Sequence, residues 1–175
     1  MESCTPGQAL EPPAVRRQKC GVSNRADIDT IKLSVKEIER YGIKLIELIQ
    51  SVPEDQLWLT KNGIPNSIGT LARHLTGNLN NYFGAGISKN GYLRDREKEF
   101  SGERINKEIV TSDLQSAINV AKESIVHIDP KEINLPYVAP FEEKYESLAY
   151  HIMRLATHFS LHYGQAEFAQ TILKS

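Results

Sequence analysis

Cysteine is scarce in this sequence. The chain has 175 residues and two cysteines, Cys4 and Cys20, both in an N-terminal segment that also contains several prolines. Two cysteines in one irregular segment do not make a disulfide framework, and neither is placed to ligate a metal in a core. We therefore do not expect catalysis by a thiolate that belongs to the chain itself.

The sequence also lacks an excess of charge of either sign and lacks a long apolar run. It contains 21 Lys and Arg against 22 Asp and Glu, for a formal net charge of −1. This balance provides no electrostatic basis for binding nucleic acid or an anionic membrane. No segment approaches the roughly 20 apolar residues of a membrane span, and the N-terminus lacks the apolar core of a signal peptide. We expect a cytoplasmic protein without nucleic-acid or membrane partners.

The first 25 residues differ in pattern from the rest of the chain. Pro, Gly, Ser and charged residues dominate residues 1–25, which predicts an irregular tail. The overall composition, 40% hydrophobic and 25% charged, is typical of one globular domain. We therefore divide the chain into a tail over residues 1–25 and a domain over residues 26–175.

Apolar residues recur at three- and four-residue spacing in four segments, which predicts four helices. The first helix is predicted from Ile28 to just before Pro53. The second is predicted to begin after a cap at Asn66 or Ser67 and to continue to Tyr82. Both caps are residue types that accept a hydrogen bond from the first turn of a helix.

The third helix is predicted to start at Thr111 or Ser112 and to end near Asp129, which precedes a proline. The fourth is predicted from about Glu143 to Leu173, with an apolar seam at alternating four- and three-residue spacing. A long, charged loop is predicted between the second and third helices. Because no convincing strand is found, the sequence predicts an all-α four-helix bundle.

Three histidines lie on inward faces of these helices. His158 and His162 are four residues apart on the fourth helix, so their rings project about 5 to 6 Å apart from one face. His74 lies on the apolar side of the second helix. A buried ring without a partner costs about 1 to 3 kcal/mol. The three rings therefore need a metal ion or hydrogen-bond partners in the core, and both alternatives are open.

Other polar residues share the same inward edges. Asn78 and Tyr82 follow His74 at four-residue spacing on the second helix, and His151 and Gln165 lie in the histidine row of the fourth. Asn78 and Gln165 are candidates to orient a ligand or to face a substrate, and ordinary hydrogen bonding within a bundle explains them equally well. His151 lies two turns before the histidine pair, too far along the axis to share a metal easily. We place it in the wall of a pocket.

A charged run in the predicted loop contains Arg94, Arg96, Glu97 and Glu99. Such a run usually forms a solvated face or a set of ion pairs, so we assign it no catalytic role. No Asp or Glu lies within one turn of the two histidines on the inward row of the fourth helix. Apart from a metal-bound hydroxide or a neighbouring histidine, no general base is therefore visible in the sequence.

Three short motifs occur in order along the chain. They are NSIGTLARHLTGN over residues 66–78, RDREKEF over residues 94–100 and HFSLHYGQ over residues 158–165. Together with the four predicted helices, they resemble the DinB/YfiT-like metalloenzyme superfamily. The resemblance covers about residues 27–173 and does not explain the tail.

The resemblance implies an up-down-down-up four-helix bundle that binds a divalent metal through one histidine of helix 2 and an HxxxH pair of helix 4. In this chain these residues are His74, His158 and His162. Many relatives are dimers, which implies a homodimer. Characterised relatives include low-molecular-weight thiol S-transferases and a thiol-dependent isomerase. They imply a small-molecule substrate and a small thiol as cosubstrate.

Three imidazoles leave at least one coordination position open, as in a catalytic metal site. An all-imidazole set suits zinc or nickel, with iron, copper or manganese as alternatives. These arguments predict a metal-dependent enzyme, either a small-thiol S-transferase or a hydrolase. One alternative is a non-catalytic protein that binds a metal or small ligand in sensing or stress response. In a third, purely structural alternative, the histidines bond to each other or to neighbours without a metal.

Overall fold

The computed structural model describes residues 24–61, 63–137 and 146–174, and within these ranges it is predominantly helical, as the sequence predicts. Residues 1–23, including both cysteines, lie outside the described residues, so most of the predicted tail does too. Residues 24–25 belong to the first helix. The sequence therefore places the start of this helix slightly late.

Helix α1 spans Asn24–Ser51. Its apolar residues are buried at the spacing that predicted the helix, and they are Ile31, Val35, Ile38, Leu45, Leu48 and Ile49. The helix ends before Pro53, as predicted, because proline lacks an amide hydrogen and its ring restricts the residue before it.

Helix α2 spans Ile68–Leu79. Ser67 is its N-cap, and the Ser67 hydroxyl accepts a hydrogen bond from the amide of Thr70 at 3.1 Å. The chain then continues as a π-helix over Asn80–Ser88 and turns at Lys89, whose φ is 54°. The helical conformation therefore continues six residues beyond Tyr82, and the long charged loop, predicted over Ser88 to Val110, begins after Ser88.

The loop also contains a short helix, α3, over Arg96–Glu99, capped by the side chain of Asp95. Helix α4 then spans Lys107–Ser124 and is followed by a 3₁₀ turn over residues 125–127. The predicted start at Thr111 or Ser112 is wrong. The side chain of Asn106 caps the helix instead, because it accepts a hydrogen bond from the amide of Glu108 at 2.7 Å.

Two short strands precede the last helix. Strand β1, Pro136–Tyr137, pairs antiparallel with strand β2, Glu146–Ser147. Helix α5 then spans Leu148–Lys174. The fourth helix was predicted from about Glu143. Residues 143–145 lie outside the described residues, and residues 146–147 are a strand, so the prediction started this helix too early.

The four long helices pack around one hydrophobic core. Helix α1 contacts α4 and α5, and α2 contacts the same two helices. The largest fully buried side chains include Ile38, Leu45, Leu75, Leu114 and Phe159 from these helices, and Phe83 from the π-helix that continues α2. Each such side chain contributes about 1.5 to 3 kcal/mol on burial. The packing places the inward face of α2 against that of α5, where the three histidines lie. Among the described residues, no helix has the length and apolar character to cross a membrane.

Candidate metal centre

The three predicted histidines lie together between α2 and α5. One ring nitrogen from each of His74, His158 and His162 lies within 4.8 Å of the other two. The Nε2 atoms of His74 and His158 are 3.2 Å apart. Two nitrogens bound to one tetrahedral zinc at about 2.1 Å would be roughly 3.4 Å apart. The donor set and its spacing are therefore compatible with metal binding.

His74 is oriented by a carboxylate. Its Nδ1 lies 3.0 Å from Oε2 of Glu99, and both side chains are almost completely buried. When Nδ1 donates its proton to this carboxylate, the lone pair of Nε2 faces the other two histidines. A histidine that ligates a metal usually has such a partner on its second nitrogen, because the partner fixes the tautomer and the ring.

Arg94 holds this carboxylate in place. Its Nε donates to Oε1 of Glu99 at 2.7 Å and its Nη2 donates to Oε2 at 2.8 Å, a two-pronged contact between nearly buried side chains. Burial by itself raises the pKa of Glu99, but hydrogen bonds from Arg94 and His74 outweigh it, so the pKa lies below its usual value. Glu99 is therefore an anion beside His74.

His162 has a comparable partner. Its ring centroid lies 4.3 Å from that of His158 and 5.0 Å from that of His74. Nδ1 of His162 donates to Oε1 of Gln165 at 2.7 Å. This contact leaves the Nε2 lone pair of His162 available to the cluster. Gln165, a candidate from the sequence, thus contacts one of the three histidines directly.

His158 and His162 are neutral near pH 7. Burial, together with the neighbouring His162 and His74, lowers the pKa of His158 to about 4. Burial also lowers the pKa of His162. A neutral imidazole has a free lone pair, whereas an imidazolium does not. The environment therefore keeps these two rings in the form that binds metals.

Asn78 lies one turn after His74 and contacts two of the rings. Its Nδ2 lies 3.1 Å from Nε2 of His74 and 2.8 Å from Nε2 of His158. The amide thus donates to the same lone pairs that a metal would use. Asn78, also a candidate from the sequence, is thus a hydrogen-bond donor at two rings of the cluster.

A cavity of about 440 Å³ opens beside the histidines. His74, Asn78 and His158 form one part of its wall, and Tyr82 and His151 form another. The remaining lining residues are Arg94, Arg96, Arg154, Leu155, Thr157 and Leu161. The volume is large enough for a small molecule next to the metal-binding nitrogens.

Glu99 is the partner of the histidine cluster that sequence reasoning missed. The sequence places it in a charged run without a role and finds no carboxylate near the histidines, whereas the structure buries it against His74. Arg94 is buried with it, while Arg96 and Glu97 are exposed as a solvated run would be. Glu99 and His74 are 25 residues apart in the sequence, so helical periodicity could not predict the contact between them. The signal that points to this segment is its place in the motif over residues 94–100.

Gly77 provides a test of this arrangement. A methyl group at this position would overlap Oε1 of Glu99, so α2 can approach the carboxylate only because residue 77 has no side chain. We expect Gly77→Ala to lower the free energy of unfolding by about 1 to 3 kcal/mol, measured by urea denaturation. Gly164 is the control, because it is exposed, lies within α5 and has open space beside it.

Gly164→Ala should raise the free energy of unfolding by roughly 0.5 to 1 kcal/mol, since alanine restricts the unfolded chain and favours helix. The two alanine variants should thus change stability in opposite directions. Equal changes in both would contradict the close packing of Glu99 on Gly77.

Comparison with known proteins places the chain in a family. The family model described as "Protein of unknown function (DUF1572)" matches residues 27–175. A search of curated proteins finds no match. Since the family model covers most of the chain, including all three histidines, the chain belongs to the DUF1572 family.

Proposed function

We propose that this protein is a divalent-metal-dependent enzyme of the DinB-like superfamily, built as a four-helix bundle from α1, α2, α4 and α5. The observation that carries the proposal is the convergence of His74, His158 and His162, whose nitrogens lie within 4.8 Å of one another beside a cavity. In this proposal the three Nε2 atoms are the ligands. The sequence motifs and the pairwise contacts of the helices support the superfamily.

Three neutral imidazoles fit zinc or nickel, and the incomplete set leaves a position for a small molecule. The chemistry that such an ion supplies is Lewis acidity, which lowers the pKa of a bound water or thiol toward neutrality. The chain's own residues position the ligands. Glu99 and Gln165 hold two ligand rings in the required tautomer, and Arg94 holds Glu99.

Between the two predicted reactions, we favour transfer of a small thiol over hydrolysis. No Asp or Glu is found among the described residues that line the cavity, so none of these residues is a carboxylate base that could activate water. A thiol ionises far more readily than water, with an ordinary pKa near 8.5. Both cysteines of the chain lie in its first 20 residues, so the proposed thiol comes from a cosubstrate.

The test begins with the metal content of the untagged full-length protein. The protein is then loaded separately with zinc or nickel and assayed with a small thiol and an aryl halide, and in parallel with ester and amide substrates. Turnover that requires both the metal and the thiol would support the transferase. Metal-dependent turnover without a thiol would support the hydrolase.

The non-catalytic alternative makes a different prediction. Stoichiometric metal without turnover in either assay would favour a protein that binds a metal or a small ligand without catalysis. Protein that stays folded and cannot be loaded with zinc, nickel, iron or manganese would contradict both, and would leave the histidines as hydrogen-bonded core residues.

A homodimer is part of the proposal. Leu161 and Phe168 lie seven residues apart on α5 and leave 59% and 61% of their surface exposed, so one face of this helix presents apolar side chains. We expect sedimentation equilibrium to give about twice the chain mass of 19.7 kDa. Phe168→Asp should give the single-chain mass, because a charge is costly to bury in an apolar interface. Leu33→Asp, an equally exposed site on α1, is the control. A single-chain mass for wild type would contradict the dimer.

A further inference from the structure

The side-chain amide of Asn78 lies at one corner of the candidate metal centre. Its Nδ2 lies 3.1 Å from Nε2 of His74 and 2.8 Å from Nε2 of His158, and these two Nε2 atoms are 3.2 Å apart. The three nitrogens therefore form a nearly equilateral triangle. Because two ligands of one tetrahedral zinc ion lie roughly 3.4 Å apart, the Asn78 amide lies about where a further ligand would lie beside these two histidines.

The position of this amide is set by α2. Asn78 follows His74 by one helical turn, so the two side chains project from the same face. Each of the two residues has only 5% of its surface exposed. A buried side chain on a helix has few alternative positions. The amide is therefore a donor that is already placed at the metal centre.

The nitrogen of this amide donates hydrogen bonds and is a poor metal ligand. An amide NH₂ group has two hydrogens and no free lone pair, whereas a neutral imidazole has one nitrogen with a free lone pair. Both Nε2 atoms that it contacts are therefore acceptors. A metal that uses these two lone pairs takes both acceptors away from Asn78. The buried amide then needs another acceptor, because an unpaired buried donor opposes folding.

The cavity provides space for such an acceptor. Asn78, His74 and His158 all line this cavity, which has a volume of about 440 Å³. Three imidazoles leave at least one position of a divalent metal open, and a small molecule that takes this position from the cavity comes within reach of the Asn78 amide. A thiolate sulfur is an anion, and hydrogen bonds to anions are stronger than those to neutral acceptors. A donor placed in advance next to an anion is also effective in a site with little water.

We propose that Asn78 binds the thiol of the proposed transferase, with its Nδ2 donating a hydrogen bond to the thiolate sulfur at the open position among His74, His158 and His162. The thiol releases its proton to solvent on binding, and the sulfur keeps the electron pair of the broken S–H bond. This inference rests on the proposed function. It separates Asn78 from Glu99, which contacts the outer nitrogen of His74 and orients that ring.

The experiment uses cobalt(II) in place of zinc. Zinc has a filled d shell and gives no visible spectrum, whereas a thiolate bound to cobalt(II) gives a strong charge-transfer band. The untagged full-length protein is loaded with cobalt(II) and titrated with 2-mercaptoethanol. Every protein in the series carries Cys4→Ser and Cys20→Ser, so the sulfur band comes only from the added thiol. We expect the wild-type site to develop this band with one thiol per chain.

Asn78→Ala should weaken thiol binding by about tenfold or more, the effect of losing one charge-assisted hydrogen bond. The same variant should bind cobalt(II) at least as tightly as the wild-type site, because no amide competes for the two Nε2 lone pairs. The two affinities are measured separately, the first from the band and the second by competition with a chelator. Circular dichroism confirms that each variant is folded at the temperature of the titration.

Asn78→Asp tests the same role with the shape of the side chain retained. The carboxylate has no hydrogen to donate, repels a thiolate and can itself bind a metal. This variant should therefore bind cobalt(II) more tightly and the thiol more weakly than Asn78→Ala. Asn80→Ala is the matched control, because Asn80 lies two residues further along and is not among the described residues that line the cavity. Both of its affinities should equal those of the wild-type site.

This inference and the proposed function fail in different ways. Equal thiol affinity in the wild-type site and both Asn78 variants would overturn the role of Asn78 and leave the transferase intact. A cobalt(II) affinity that falls together with the thiol affinity in Asn78→Ala would also overturn it, since the side chain would then serve the metal or the fold. Cobalt(II) uptake without a thiol band in the wild-type site, or no uptake at all, would contradict the transferase and this role together.

Discussion

Replacement of both His158 and His162 by alanine is expected to reduce bound zinc or nickel from near one ion per chain to background. The double variant leaves His74 as the sole imidazole of the cluster, and one imidazole cannot supply the three or four ligands of a zinc site. Elemental analysis of untagged protein measures the loss directly.

The same metal should stabilise wild type and not the variant. A ligand at one hundred times its dissociation constant adds about 2.7 kcal/mol to the free energy of unfolding, which corresponds to a rise of about 5 to 10 °C in Tm for a chain of this length. His127→Ala is the matched control, because His127 is exposed in the 3₁₀ turn after α4 and is not a member of the cluster. Metal that persists in the double variant, or that is lost in the control, would contradict the assignment of the ligands.

Glu99→Gln is expected to weaken zinc binding by about 10- to 100-fold, the usual effect of losing a carboxylate that orients a metal-ligating histidine. The amide keeps the size of the side chain but no longer attracts the Nδ1 proton of His74 as an anion does. Arg94 also loses its buried counter-charge, so stability falls as well. Affinity is therefore measured by competition with a chelator at a temperature where circular dichroism shows folded protein.

Glu97→Gln is the control for this effect. Glu97 lies in the same short helix as Glu99 but is exposed, so its amide variant should bind zinc as wild type does. Equal affinity for wild type and Glu99→Gln would show that the carboxylate serves only the ion pair with Arg94 and does not tune His74.

The caps and ends of the helices show how much of the fold can be predicted from local sequence. Ser67 was predicted as one of two caps for α2, and it is the cap. The start of α4 was predicted four residues late, because Asn106 competes with Thr111 and Ser112 as a cap and the choice depends on contacts outside the helix. One such contact is the amide of Lys107, which donates to Glu54 at 3.1 Å.

The sequence by itself determined that the chain is helical and that His74, His158 and His162 face inward. Both follow from the 3.6-residue period of the α-helix, which relates residues three and four positions apart. About a dozen residues of sequence are enough to detect this period. The family resemblance added the expectation that the three rings lie close together. The periodicity of one helix could not predict this, because it contains no information on where another helix packs.

Only the tertiary structure decided which groups surround the histidines. His74 and His158 are 84 residues apart in sequence, and Glu99 reaches His74 across 25 residues. Such contacts depend on how the helices pack and on where the loop over residues 89–106 docks, with Gly77 leaving the space for Glu99. The cost of ordering that loop is offset by buried charge pairing and packing that no local pattern encodes. The inward histidines are thus a property of the sequence, and their carboxylate, their amide partners and their cavity are properties of the fold.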